Sequence, residues 1–251
     1  AVFPKPVEGF VTRNVMLETL MEGTPMNYFM NLPAEVGTAT HKLKMKLSDL
    51  GTRLILKMVF FDNYIHGDLH PGNVLVQVDP NGDARLVILD CGIVYASKSD
   101  AEHQRLVDIC FAFMQHDGRK AGSLMVDTAN SKRPDTVKHA EAFCESIQRL
   151  IDETEERNYF EHLTEYVSEI CELARQHVVR LDPGYFKIVM ALKVAEGIAL
   201  ALDRELDLIS KCVPIVVKTR AMRTLGLSHF PLPESEDEFM QTKNPRKLTN
   251  Q

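Results

Sequence analysis

The sequence contains no tryptophan, and aromatic residues make up only 7% of it. Its five cysteines are odd in number and widely spaced, with no Cys-x-x-Cys pair and no zinc-ligand spacing. That argues against a disulfide framework and against a structural zinc site, and the cysteines read as reduced thiols of a reducing compartment. No apolar run approaches the roughly 20 residues that a membrane-crossing helix needs. The best candidate, residues 186–202, is interrupted by Lys187, Lys193 and Glu196. A basic excess is missing as well: the net charge of -6 argues against a nucleic-acid partner, which calls for a basic face. There is no internal repeat. The 251 residues suffice for one large domain or two small ones.

What is present centres on His66-Gly67-Asp68-Leu69-His70-Pro71-Gly72-Asn73, followed by a strand Val74–Val78, a turn Asp79-Pro80-Asn81-Gly82 and a second strand over residues 85–89. That strand delivers Asp90-Cys91-Gly92. Asp68 and Asn73 lie five apart on one short loop, which Pro71 and Gly72 keep out of a helix, so both side chains can turn toward one cleft. Phosphoryl transfer from magnesium-nucleotide needs these parts: a carboxylate to orient the attacking oxygen and oxygen ligands for the metal. Asp68 suits the first role, Asn73 and Asp90 the second. An isolated His-Gly-Asp is most often only a turn, since Gly and Asp are turn residues. The ordered set joined by a hairpin is far more specific.

His66 to Asn73 together with Leu89-Asp90-Cys91-Gly92 resembles the aarF-domain-containing, or UbiB-type, family of atypical protein-kinase-like proteins, in its C-lobe portion. Upstream, Phe3-Pro4-Lys5-Pro6, Val15-Met16-Leu17-Glu18 and Met21-Glu22-Gly23 look like the family's last N-lobe strands and hinge; downstream, Ala195-Glu196-Gly197 looks like its helical lobe. The resemblance implies an α+β, kinase-like fold: a mainly helical C-lobe with a short β hairpin carrying the metal site, and an N-lobe largely absent. It divides the chain into a last strand and hinge at 1–25, a helical lobe at 26–227 and a disordered tail at 228–251. It further implies ATP and magnesium as cofactors, with Asp68 catalytic, Asn73 and Asp90 as metal ligands, and Glu18 and Met21 as adenine-side positions of the hinge. The family supports coenzyme Q and lipid metabolism, so the implied setting is mitochondrial, with any lipid or membrane-surface association made through a longer protein. The chain starts at Ala1 inside a strand-hinge region with no targeting segment, so it reads as a fragment or short isoform. No Gly-rich or Ala-rich phosphate loop and no strand lysine with a helix glutamate precede the hinge. The chain alone is therefore expected to be inactive.

Along the chain, residues 11–20 are apolar and β-branched and predict one strand. Residues 26–31 suit a short helical turn. Leu43, Leu47, Leu50, Leu54, Met58 and Phe61 recur at threes and fours and predict a helix over 40–63, with Lys42, Lys44 and Lys46 on a solvated face. Ser99 and Glu102 form a capping box for a helix to about residue 115, and Gly118 is expected to separate it from a helix over 119–129. Pro134 is expected to open a long helix that breaks near Asn158, and a further helix is expected over 160–179. Asp182-Pro183 has cap and first-turn chemistry for a helix over 183–202. A last helix is expected over 206–222, with Pro214 near its first turns. From Ser228 the composition is Pro-rich, then acidic, then polar, which predicts disorder.

Single residues carry further expectations. Gly67 stands where many protein kinases have Arg, so control through activation-segment phosphate is expected to be missing. His66 and His70 read as structural histidines of the loop. Cys91 replaces the usual Phe after the metal aspartate and reads as a small buried hydrophobe. Two other functions compete. A small-molecule kinase of the aminoglycoside-phosphotransferase type shares a similar His-Gly-Asp loop, but usually continues into an Asp-Pro, where this chain has Ile93-Val94-Tyr95. A nucleotide-sensing pseudokinase would share the loop without the turnover.

Overall fold

The computed structural model describes residues 1–126, 135–157 and 163–226. The expectations attached to Pro134, to Asn158 and to the tail at 228–251 lie outside the described residues.

The chain starts with two antiparallel strands, β1 (Pro6–Val11) and β2 (Met16–Glu18), in the register Pro6↔Glu18 and Val11↔Met16. This corrects the single strand expected over 11–20. Thr12 turns the chain: its Oγ1 accepts from the Val15 amide at 3.0 Å, and its own amide donates to the Val15 carbonyl at 2.8 Å. A hydroxyl bonding its own backbone closes such a turn, which apolar patterning does not reveal. A two-residue strand, β3 (Thr24–Pro25), then pairs with the hairpin described below, and α1 (Met26–Asn31) follows.

Helix α2 (Ala39–Phe60) realises the expected periodicity, and Thr38 caps it by accepting from the His41 amide. Leu47, Ile55, Leu56, Val59 and Phe60 are buried, and the helix packs on α7 (Pro183–Leu202), a helix apolar nearly all round. One lysine departs from the solvated face. Lys44 is buried, and its Nζ donates to the carbonyls of Met30 and Leu32, both at 3.1 Å. The carbonyls freed at the end of α1 supply what its ammonium needs inside the protein. Lys46 keeps to the surface and pairs with Asp83.

After α2 the chain reverses at Asn63, whose φ is +49°. Its buried side chain accepts from the Ser97 amide at 3.0 Å and donates to the Ser97 carbonyl at 3.4 Å. This clasp brings β4 (Ile65–His66) against β7 (Val94–Tyr95), in the register Ile65↔Tyr95 and His66↔Val94. Between them lie a 3-10 turn (Pro71–Asn73) and the hairpin of β5 (Val74–Val78) and β6 (Ala84–Ile88). The second strand is shifted by one residue from the expected 85–89. Asp79 closes the turn by accepting from the Asn81 and Asp83 amides. The three-stranded order is β3-β5-β6, and Val2 bridges β6 from the other side.

The helical body follows. Ser99 caps α3 (Asp100–Met114) by accepting from Glu102, while Glu102 reaches back to the Lys98 amide at 2.7 Å, one residue before the cap. Helix α4 (Gly118–Met125) starts at Gly118 and is capped by Asp117, so Gly118 lies inside the helix instead of separating two. A Cβ there would stand 2.6 Å from the Gln148 Cα, on α5 (Asp135–Arg157). The glycine therefore lets α4 and α5 pack backbone to backbone. α6 (Leu163–Gln176) is shorter than expected, α7 begins at Pro183 under the Asp182 cap as expected, and α8 (Leu208–Thr224) carries Pro214 in its second turn. The architecture is mixed: small antiparallel sheets set against a mainly helical body, compatible with a kinase-like fold. Among the described residues no helix is long and apolar enough to cross a membrane.

Candidate active site

The loop between β4 and β5 is fixed through its backbone. His66 is buried; its Nδ1 accepts from the Asp68 amide at 3.2 Å, and its Nε2 faces the Leu89 carbonyl at 3.4 Å. Together these contacts tie both ring nitrogens to the loop and to β6's end, which is the structural role expected for His66. The Gly67 amide donates to the Ile93 carbonyl at 2.8 Å. A Cβ on Gly67 would lie 2.6 Å from both the Ile93 Cγ2 and the Tyr95 ring, so an arginine here would have to push those two side chains aside. His70 caps the 3-10 turn, its Nδ1 accepting from the Gly72 amide at 3.1 Å. That spends the ring on the fold, as expected.

Three of the five expected site residues meet on this unit. The Asn73 carbonyl accepts from the Leu89 amide at 2.8 Å, extending the pairing Val74↔Ile88 and setting Asn73 beside the residue before Asp90. Asn73 Nδ2 donates to the Asp68 carbonyl at 3.3 Å. With its nitrogen engaged there, the side-chain oxygen of Asn73 is the atom left to meet a ligand. Asp90 is exposed and has φ +48°, a left-handed conformation that costs a residue with a Cβ about 1–2 kcal/mol. Its Oδ1 accepts from the Gly92 amide at 3.1 Å. The sharp backbone turn therefore falls on Asp90 itself, not on Gly92 behind it.

Of the two residues expected at the hinge, Glu18 ends β2 and is exposed; its charge reaches the Cys91 thiol. Met21 is half-buried, with its sulfur accepting from the Thr19 hydroxyl at 3.8 Å. Cys91 is exposed, which corrects the expectation of a buried hydrophobe. Partial burial, then the charges of Asp90 and Glu18, push its thiol above the ordinary range, so it is a poor nucleophile.

The donor set suits a hard divalent cation. Among the described residues neither Asp68 nor Asp90 forms an ion pair, and the cluster is acidic without a compensating cation. Among the described residues no three His, Cys, Asp or Glu side chains gather to enclose a metal. Magnesium does not require such a cage, because it is commonly held by one or two carboxylates plus substrate phosphates.

A cavity of about 470 Å³ opens beside Asp68, between α2, the loop, β7 and α7. No sequence signal pointed to it. Its walls come from segments more than 100 residues apart, and each reads locally as ordinary core.

The sequence pattern of the ABC1 atypical kinase-like domain matches residues 2–125. A mitochondrial ABC1 family protein of Saccharomyces cerevisiae is 24% identical over 260 residues, covering 85% of this chain and 39% of the relative. A "Probable serine/threonine-protein kinase" of Dictyostelium discoideum is 21% identical, covering 99% of this chain and 43% of its own length. A "Probable protein kinase UbiB" of Cronobacter sakazakii is 28% identical, covering 85% and 38%. The chain thus spans about two-fifths of the length of the curated relatives it matches. Residues 2–125 thus carry the match to the ABC1 atypical kinase-like domain, and the relatives that extend the likeness beyond residue 125 bear ABC1 and UbiB names, consistent with the aarF/UbiB-type family of atypical kinase-like proteins.

Proposed function

We propose that this chain forms the catalytic-loop portion of a magnesium- and ATP-dependent atypical kinase or ATPase that supports coenzyme Q and lipid metabolism in mitochondria. The observation that carries the reading is the joint placement of Asp68, Asn73 and Asp90 on one backbone-fixed unit, with both carboxylates free of ion pairs. The names of the relatives support the kinase class, and two fungal relatives are named as mitochondrial. Retention of all three residues favours turnover over a purely nucleotide-sensing role.

In this reading Asp68 orients an acceptor hydroxyl or water and takes its proton. His66 holds the Asp68 amide and so fixes where that carboxylate starts from. Asn73, through its amide oxygen, and Asp90 would hold magnesium. When bound, magnesium neutralises charge on the nucleotide phosphates. Glu18 and Met21 flank the adenine side of the hinge. These 251 residues alone should bind magnesium-nucleotide weakly and show no turnover.

The full protein provides the test. Asp90→Asn should abolish the magnesium dependence of nucleotide binding. Asp68→Asn should leave nucleotide bound while turnover falls by about 10²–10⁴-fold, the usual range for a general base. Unchanged magnesium dependence in Asp90→Asn, or undiminished turnover in Asp68→Asn, would remove these assignments.

A further inference from the structure

The cavity beside Asp68 has two chemically different sides. Among the described residues its α2 and α7 walls are apolar, formed by Ile55 and Met58 on one helix and by Phe186, Met190 and Val194 on the other. All of its polar lining comes from the loop and the β4–β7 pair: His66, Asp68, His70 and Tyr95. Both histidines already bond the loop backbone. The Asp68 carboxylate is thus the charged acceptor of the lining that a ligand hydroxyl could meet. Among the described residues no lysine or arginine lines the space, so an anionic ligand would meet the Asp68 charge with no neutralising group from them.

These features select a ligand class. About 470 Å³ falls in the range of pockets that enclose a small molecule. A peptide serine would bring its own backbone N–H and C=O groups against the α2 and α7 walls, which offer no partner, and burying them unpaired is costly. A phosphate or carboxylate would meet Asp68 without a countercharge. A long apolar body with one hydroxyl fits both sides, and methionines such as Met58 and Met190 adjust to an irregular apolar shape.

Building on the proposed function, we infer that this cavity is the acceptor subsite and takes an uncharged apolar molecule with a single hydroxyl. Its body lies between α2 and α7, and its hydroxyl lies at Asp68.

The test is calorimetric titration of the full protein, without nucleotide, using 1-octanol as the probe, with octyl phosphate and a serine-containing peptide as competitors. Octanol should bind and neither competitor should displace it. Met190 is 57% exposed at the rim, so Met190→Glu should keep its thermal melt while weakening octanol by at least about tenfold, because it puts a charge on the apolar wall. Met190→Leu, which keeps the wall apolar, should bind octanol like the parent. No octanol binding, equal binding by Met190→Glu, or displacement by peptide or octyl phosphate would each overturn the inference. The kinase reading is judged separately: octanol binding as expected beside absent nucleotide turnover would sink that reading and leave the subsite. Turnover without octanol binding would do the reverse.

Discussion

The two candidate site aspartates of the loop-hairpin unit and the ion-paired aspartates of the helical body are used in opposite ways. In the body, Asp49 faces Arg53 at 2.8 Å and Lys211 at 2.5 Å, Asp182 faces Arg105 at 3.3 Å, and Asp108 faces Arg220 at 3.8 Å. Burial pushes the Asp49 carboxyl up, but Lys211 and Arg53 outweigh it and hold the group below the usual carboxylate range. In the loop unit, Asp68 is tied through its backbone amide, which donates to His66, and the Asp90 carboxylate accepts only from the Gly92 amide, so carboxylate oxygens are left unspent. The body is held by side chains committed to each other. The loop is held by its backbone, which keeps its side chains available for a ligand.

The strongest way to test this contrast is pH, because the body also holds a titratable group with no freedom to charge. His103 on α3 is 1% exposed, its Nε2 donates to the Val59 carbonyl at 2.8 Å, and Arg223 of α8 donates to its Nδ1. Burial first, then the Arg223 charge, outweigh the Val59 carbonyl and Asp100 and lower it from 6.5 to about 4. Because the folded value is depressed, the unfolded chain binds the proton first as pH falls through 6.5. Stability should therefore be lost between about pH 6.5 and 4 and level off below, by up to roughly 3 kcal/mol. Denaturant unfolding across that window, compared with His103→Gln, should show the slope in the parent and not in the variant. Equal slopes would mean His103 charges freely.

A smaller effect separates the two close-packed glycines. In Gly118→Ala the new carbon meets the backbone of Gln148 and the Ile147 carbonyl, which no rotamer change relieves, and should cost roughly 2 kcal/mol. In Gly67→Ala it meets only the side chains of Ile93 and Tyr95, which can turn aside at less cost. Urea midpoints for both variants would decide this, and a larger loss at Gly67 would reverse the picture of a rigid body and an adaptable loop.

Thr52 on α2 departs from the rule for the body: it is buried, and its hydroxyl has no partner beside a small space lined also by Ser48, Ala195 and Ala199. Thr52→Val keeps the shape and removes the unpaired hydroxyl, so it should stabilise by about 1 kcal/mol. A loss in thermal melting would show that the hydroxyl is in fact satisfied.

The smallest shift is expected where function is assigned. Asp68→Asn and Asp90→Asn should each change stability by less than about 0.5 kcal/mol. Neither carboxylate holds an ion pair, and Asn tolerates the left-handed φ of residue 90 at least as well as Asp. A drop in melting temperature would make these aspartates structural and weaken the case that they are kept for a ligand.

Sequence alone determined whatever is settled within a few residues. The turn at Asp79 to Gly82 fixed the β5–β6 hairpin, and hence the distance along the chain from Asn73 to Asp90. The threes-and-fours spacing fixed α2, and Ser99 and Asp182 fixed the starts of α3 and α7. These interactions span at most a helical turn or a hairpin loop, so no other part of the protein is needed to read them. Only the tertiary structure decided that Lys44 is buried under the end of α1, that Cys91 is exposed, and that β4 pairs with β7 so that the Ile93 and Tyr95 side chains crowd Gly67. It alone set Asp90 in a left-handed turn and enclosed an apolar cavity beside Asp68. Each of these depends on which distant segment arrives opposite a residue. Residues 55 and 190 face one cavity because α2 packs on α7, and no local pattern in either helix encodes the other's position.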